Sequence, residues 1–274
     1  GDGPGFTRQR EREFRQSVRL AGTLAPPGDC PVPGAGRLNR VVSEAALVTP
    51  QGGVLHDPDI PGPWTYERFT HRYWSDAGRL LQAAVGGRGA VVFLRADEEE
   101  WALRHYHRGG LPGRLIDDRF VWQGADRTRS FREWRLLRRL YNDGLPVPRP
   151  VAAAYRRRGA SYTADLLTVR IPGAEPLAAH VARAALPAEV WRDLGRCVRR
   201  FHDAGVCHAD LNVHNLLLDE ARRPWLLDFD RGRVRPPGGW RRDNLDRFLR
   251  SLRKTRSERP GVHVAPADWQ TLLE

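Results

Sequence analysis

At 274 residues the chain can bury a real core as one domain or two lobes, and 41% hydrophobic against 28% charged residues describe a globular body and exclude a disordered one. The net charge is +12 and Lys254 is the only lysine among 45 basic residues; a GC-rich genome explains many of the arginines, while the excess points to an acidic partner such as nucleic acid, an anionic membrane or a phosphorylated substrate. Three cysteines without CxxC spacing (Cys30, Cys197, Cys207) suggest a reducing, cytosolic setting, and the lack of an apolar run near ~20 residues or of a signal-peptide h-region argues against membrane spanning and secretion, with peripheral attachment left open.

Residues 1–45 are rich in Gly, Pro and Arg and show little periodicity. They are expected to be a disordered extension or translated sequence upstream of the true start, with room for a short helix at Arg10–Leu20. From Ala46 the pattern becomes orderly. "AAVGGRGAVVFLR" (83–95) reads as strand, glycine turn and strand, and "WALRHY" (101–106) as a further strand. A long basic loop follows. "SFREWRLLRRLYNDG" (130–144) reads as a helix with Phe131, Trp134, Leu137 and Tyr141 at helical spacing and Gly144 as its stop. "VPRPVAAAYRRR" and "SYTADLLTVRI" read as strands, and Pro172-Gly173 breaks the chain. Beyond it come helices in "AEPLAAHVARA" and in 187–205, where Val190, Leu194, Cys197, Val198 and Phe201 share a face. A strand "PWLLDFD" (224–230) and a helix "WRRDNLDRFLRSLRK" follow. The expected architecture is α+β: a small β-rich N-terminal lobe with one central helix (46–171) and a compact, mostly α C-terminal lobe (172–274).

"CHADLNVHNLLLD" (207–219) carries H-x-D-L-x-x-x-N as His208, Asp210, Leu211 and Asn215, and Asp228 follows in Asp-Phe-Asp. This is the order and approximate spacing of a kinase catalytic loop and its metal-binding aspartate. Phosphoryl transfer depends on positioning and charge neutralisation more than on covalent help. Asp210 is the candidate base that orients the attacking hydroxyl. Asn215 and Asp228 offer the hard oxygen ligands that suit Mg2+ against ATP phosphates. His208 is expected to brace the backbone. The bland alternative, a pair of polar turns between core strands, must explain two motifs in the right order.

The N-terminal lobe should grip the nucleotide. "WALR" stands where a kinase has V-A-I-K, which places Arg104 at the phosphate-contacting position; the competing reading is an exposed strand arginine. Glu133 is its candidate partner, or else the fourth residue of a capping box begun by Ser130. Gly87 and Gly89 in "GGRG" resemble a phosphate-covering loop without G-x-G-x-x-G spacing, and a plain hairpin turn fits equally. His105, His107, Arg108, Arg114, Arg119, Arg127 and Arg129 form either a solvated loop or an anion-binding wall, which Arg231 and Arg233 could join.

"LRHYHRGGLPGRL", "REWRLLRRL", "PVPRPVAA", "GVCHADLNVHNLLLD" and "LLDFDRGR" resemble the blocks of the 3-deoxy-D-manno-octulosonic acid (Kdo) kinases of lipopolysaccharide core assembly, over roughly Leu47 to Lys254. An arginine in the third strand and Asp-Phe-Asp for Asp-Phe-Gly also look typical of that family. The resemblance implies ATP- and Mg2+-dependent phosphorylation of the Kdo 4-hydroxyl on Kdo-lipid A, at the cytoplasmic face of the inner membrane. It implies Asp210 as base and Asn215 and Asp228 as metal ligands, with an anionic glycolipid and an anionic membrane surface as partners. Nucleic acid is not expected, and the oligomeric state is left open. A protein kinase fits less well, because no A-P-E segment follows Asp228 and Asn212 replaces the usual lysine. Heptose kinases and other small-molecule kinases are the nearest rivals, and a basic nucleic-acid-binding module is the alternative from another class.

Overall fold

In a computed structural model, residues 41–84, 91–107, 118–259 and 261–274 are described. The expected helix at Arg10–Leu20 and the Gly87/Gly89 turn lie outside them. The described residues form two compact units. One comprises 41–172 with Leu226–Arg233; the other comprises Gly173–Trp225 with Val234–Glu274. Leu226–Arg233, including Asp228, therefore packs with the first unit and not with the C-terminal segment that precedes it in sequence.

The first unit is built on an antiparallel sheet. Its strands are β1 (Ala45–Thr49), β2 (Gly52–His56), β3 (Leu80–Ala84), β4 (Val91–Ala96), β5 (Glu99–His105), β6 (Phe120–Val121), β7 (Pro150–Arg158) and β8 (Ser161–Val169). They run in the order β1-β2-β7-β8-β5-β4-β3, with β6 on β8. The central strands are apolar on both faces: Val151 to Ala154 and Leu167 are fully buried, the composition of a strand covered on each side. One face closes over an aromatic cluster of Trp64, Phe69, Trp74 and Trp101. The Arg68 guanidinium is caged there, 4.3 Å above Trp64 and 5.7 Å from Trp101. Ring quadrupoles offset part of the cost of burying its charge. Desolvation still pulls its pKa down.

Helix α1 spans His71–Asp76 and α2 spans Arg129–Asn142. The apolar stripe of α2 is Phe131, Trp134, Leu137 and Leu140, so Leu140, and not the half-buried Tyr141, completes it. Gly144 stops the helix at φ +71°, a conformation any side chain would strain, while its N–H donates to the Tyr141 carbonyl. Residues 41–44, expected to belong to the extension, are fastened to this helix. Val42 is buried and exchanges hydrogen bonds with the Asn142 amide, and Glu44 pairs with Arg135 and Arg138. Residues 41–44 are thus tied to the first unit.

The second unit contains β9 (Glu175–Pro176), α3 (Leu177–Arg183), α4 (Ala188–Asp203), β10 (Val206–Cys207), β11 (Leu216–Leu218), α5 (Trp240–Glu258) and α6 (Pro266–Leu273). The predicted face of α4 (Val190, Leu194, Cys197, Val198, Phe201) is buried throughout, and Trp191 widens it. No helix among the described residues is long and apolar enough to cross a membrane.

Gly195 lets α4 meet the end of α6 at backbone distance, because a Cβ there would overlap the Leu272 carbonyl. Gly195→Ala should therefore destabilise the protein by about 1–3 kcal/mol despite alanine's better helix propensity. Urea unfolding checks this, and a stabilised variant would show that the two helices can part.

His202, on the same helix, is 8% exposed and sits edge-on to Trp240. Burial, with the Arg241 charge adding, lowers its pKa to about 4; Asn244 and Asp203 oppose this only weakly. The folded state therefore binds this proton later than the unfolded chain does. The associated stability is full above pH 6.5 and is lost as pH falls toward 4. About 2 kcal/mol should vanish between pH 7 and 5, and His202→Gln should flatten that part of the profile. A urea midpoint series across pH tests it.

Candidate active site

The loop after β10 owes its shape to side chains that hydrogen-bond their own backbone. His208 is buried; its N–H donates to Asn244 Oδ1 (3.1 Å), and Asn244 Nδ2 donates to the His208 carbonyl (2.8 Å). His208 Nδ1 accepts the Asp210 N–H at 3.1 Å, so this histidine braces the loop and stays out of the solvent. Leu211 and Val213 anchor the alternate positions in the core, leaving Asp210 with a side chain 60% exposed. Asn212 Nδ2 donates to Asp210 Oδ2 (3.1 Å), and its Oδ1 accepts the His214 and Asn215 N–H groups. Asn215 Nδ2 donates to the Asp210 carbonyl at 2.9 Å. With Nδ2 so engaged, Oδ1 is the atom Asn215 can offer a cation. Arg247 Nη1 stands 3.6 Å from Asp210 Oδ1. Arg247, Arg235 and Arg250 line a groove of about 390 Å³ with Asp243 and Asp246.

In the other unit, Arg104, Glu133 and Asp228 come together. The register of β5 sets Arg104 opposite Leu166 of β8 and Val91 of β4. Its guanidinium donates through Nη1 to Asp228 Oδ1 (2.6 Å) and through Nη2 to Glu133 Oε2. Tyr106 Oη also donates to Glu133 Oε2 (2.6 Å), and the Phe229 N–H donates to Oε1 (3.1 Å). Of the two readings of Glu133, the ion pair forms and the capping box does not: Thr128 precedes the helix, and Ser130 Oγ donates to the Ala154 carbonyl. Burial pushes the Glu133 carboxyl up, Arg104 opposes this, and Asp228 adds to it. Burial also works against the Arg104 charge, but Glu133, Tyr106 and Asp228 outweigh it and raise its pKa. The guanidinium is thus locked in its charged form, 4.6 Å above the Tyr106 ring.

The expected strand 224–230 ends at Leu226. Asp228 takes φ +62° and leaves the extended path, with Phe229 buried beneath it and the Gly232 N–H donating to the Phe229 carbonyl (2.7 Å). Non-glycine residues at such φ are uncommon and gather at functional sites. The turn leaves the Asp228 side chain 40% exposed. Asp230 is gripped through both oxygens by Arg129 Nε (2.8 Å) and Nη2, a planar fork that lysine cannot supply. Arg129 is therefore committed to shaping the Asp-Phe-Asp turn and is not a free member of an anion-binding wall. Of that wall, His105 and Arg119 line a cavity of about 260 Å³ with Arg156 and Arg158, while Arg108 and Arg114 lie outside the described residues. The roles of Tyr106 and Asn244 and the pairing of Arg129 with Asp230 were not legible in the sequence, and a polar residue on a buried helix face was the only signal that pointed to Asn244.

Asn215 Oδ1 in one unit and the Asp228 carboxylate in the other are each hard oxygen donors of the kind Mg2+ takes. Each unit thus presents one turn that exposes a carboxylate, Asp210 in one and Asp228 beside the charged Arg104 in the other, and these are groups of the kind phosphoryl transfer uses. Comparison with known proteins agrees. Residues 71–274 match the family model described as "Lipopolysaccharide kinase (Kdo/WaaP) family". A 3-deoxy-D-manno-octulosonic acid kinase of Stenotrophomonas maltophilia (strain R551-3) is 46% identical over 76% of this chain and 83% of its own length. Its counterpart in Vibrio parahaemolyticus is 39% identical over 81% and 90%, and that of Xylella fastidiosa (strain 9a5c) 45% over 81% and 88%. At this identity, sustained over most of the sequence, the chain belongs to the lipopolysaccharide kinase (Kdo/WaaP) family and is a kinase.

Proposed function

We propose that the chain transfers the terminal phosphoryl group of Mg-ATP to the 4-hydroxyl of Kdo in Kdo-lipid A during lipopolysaccharide core assembly. The observation that carries this reading is the 39–46% identity to curated Kdo kinases over most of the chain. The scaffold is protein-kinase-like, with 46–171 as the nucleotide-binding lobe and 172–274 as the catalytic lobe, less the Leu226–Arg233 turn that packs with the first unit. Asp210 orients the acceptor hydroxyl and takes its proton. Asn215 and Asp228 hold Mg2+, which when bound neutralises charge on the phosphates. Arg104, set by Glu133, contacts the nucleotide phosphates, and Gly87 and Gly89 cover them. The acceptor is anionic, and Arg235, Arg247 and Arg250 in the groove that Arg247 links to Asp210 support that charge preference. A peripheral position at the cytoplasmic face of the inner membrane follows from an acceptor held in that membrane. The net charge of +12 favours it too, at about 1 kcal/mol per arginine near an anionic surface.

Purified protein given labelled Mg-ATP should label Kdo-lipid A and neither heptosylated core nor a generic protein. NMR of the product should place the phosphate on the Kdo 4-position. Label on heptose alone would overturn the acceptor while keeping the kinase.

A further inference from the structure

His105 ends β5 and His107 follows it by two residues, so both rings emerge on one side, with centroids 5.0 Å apart. Asp118 approaches the same point from the far side of residues 108–117. His107 Nδ1 lies 2.6 Å from Asp118 Oδ1, and His105 Nε2 lies 3.5 Å from Asp118 Oδ2. One ligand atom from each of the three residues falls within 4.8 Å of the others. The other nitrogen of His105, Nδ1, is 2.6 Å from Asp165 Oδ1; Asp165 is 2% exposed, and its Oδ2 accepts the Tyr66 hydroxyl at 2.9 Å.

We infer that His105, His107 and Asp118 form a site for a transition-metal ion of the Zn2+ class, distinct from the residues that serve phosphoryl transfer. A tetrahedral ion with ligands at about 2.0–2.1 Å spaces its ligand atoms about 3.3 Å apart. Asp118 meets the two imidazoles through different oxygens, Oδ2 at 3.5 Å from His105 and Oδ1 at 2.6 Å from His107, and one ligand atom from each residue already lies within 4.8 Å of the others, so about 1–1.5 Å of side-chain adjustment reaches the required spacing. Two imidazoles with one carboxylate select Zn2+, Co2+ or Ni2+ over Mg2+. The buried Asp165 supplies what metal-bound histidines almost always have, a carboxylate on the opposite ring nitrogen that fixes tautomer and ring plane. His107 and Asp118 keep side chains 37% and 35% exposed, which leaves room for entry and for water as a fourth ligand.

The test uses tag-free protein without nucleotide or Mg2+, titrated with Co2+ and then Zn2+ by visible absorption and calorimetry. One Co2+ should bind with the ligand-field bands of a four- or five-coordinate ion and no thiolate charge-transfer band, and Zn2+ should displace it. His107→Ala, an exposed change that leaves the fold intact, should abolish the bands. Asp165→Asn should weaken binding by about 10–100-fold, and Asp228→Asn should leave it unchanged. Absence of stoichiometric binding, or binding that survives His107→Ala, would overturn the proposal without touching the kinase reading.

Discussion

Replacing Asp210 by asparagine should lower kcat for phosphoryl transfer by about a thousandfold while leaving the protein as stable as before. A positioned general base contributes roughly 10²–10⁴-fold, and Asn keeps the shape of the side chain but cannot take a proton. Little structural cost accompanies the change. The side chain is 60% exposed, Arg247 stands 3.6 Å away, and the loop is held by backbone contacts to His208 and Asn215 that the substitution does not touch. Surface changes of this kind usually stay within about 0.5 kcal/mol. Kinetics and a urea melt measured on one preparation decide the matter. A loss of less than tenfold would remove Asp210 from the chemistry, and a large drop in stability would make the rate loss uninformative about proton transfer.

The second large effect is on folding. Glu133→Ala should destabilise the protein by about 3–5 kcal/mol, the usual cost of removing one partner of a buried ion pair. The Glu133 side chain is only 2% exposed, and its two oxygens serve Arg104, Tyr106 and the Phe229 N–H. Alanine would leave Arg104, itself 22% exposed, facing only Asp228, and would orphan a buried backbone donor in the Asp-Phe-Asp turn. Glu133→Gln retains an acceptor for Phe229 and should cost less, about 1–3 kcal/mol. Both variants should raise the KM for ATP, because Arg104 is set by this carboxylate. A Glu133→Ala protein as stable as wild type would mean that Arg104 finds another partner, and the account of the triangle would fail.

Periodicity made much of this legible. The stripes of 130–144 and 187–205 predicted buried faces that are present almost residue for residue, because burial imposes a 3.6-residue repeat wherever a helix lies on a core. Where neighbours along the chain compete, the same logic faltered. The spacing favours Tyr141 over Leu140, and it carries the strand over 224–230 through Asp228, whose φ of +62° does not belong to a strand. Residues 41–44 looked like part of a featureless extension because the Asn142 amide that fastens Val42 lies 100 residues away.

From the chain alone came the family blocks, the order of Asp210, Asn215 and Asp228, and a pairing for Glu133 that a capping box rivalled. Local spacing reveals residue types and faces, since each is fixed by the backbone geometry of one element. The three-dimensional arrangement alone chose between those rivals. It also committed Arg129 to Asp230, caged Arg68 among tryptophans and set His208 against Asn244. Such contacts join residues as far apart as 104 and 228, so strand register and helix placement, and no local repeat, determine which charges meet and which of them water can still reach.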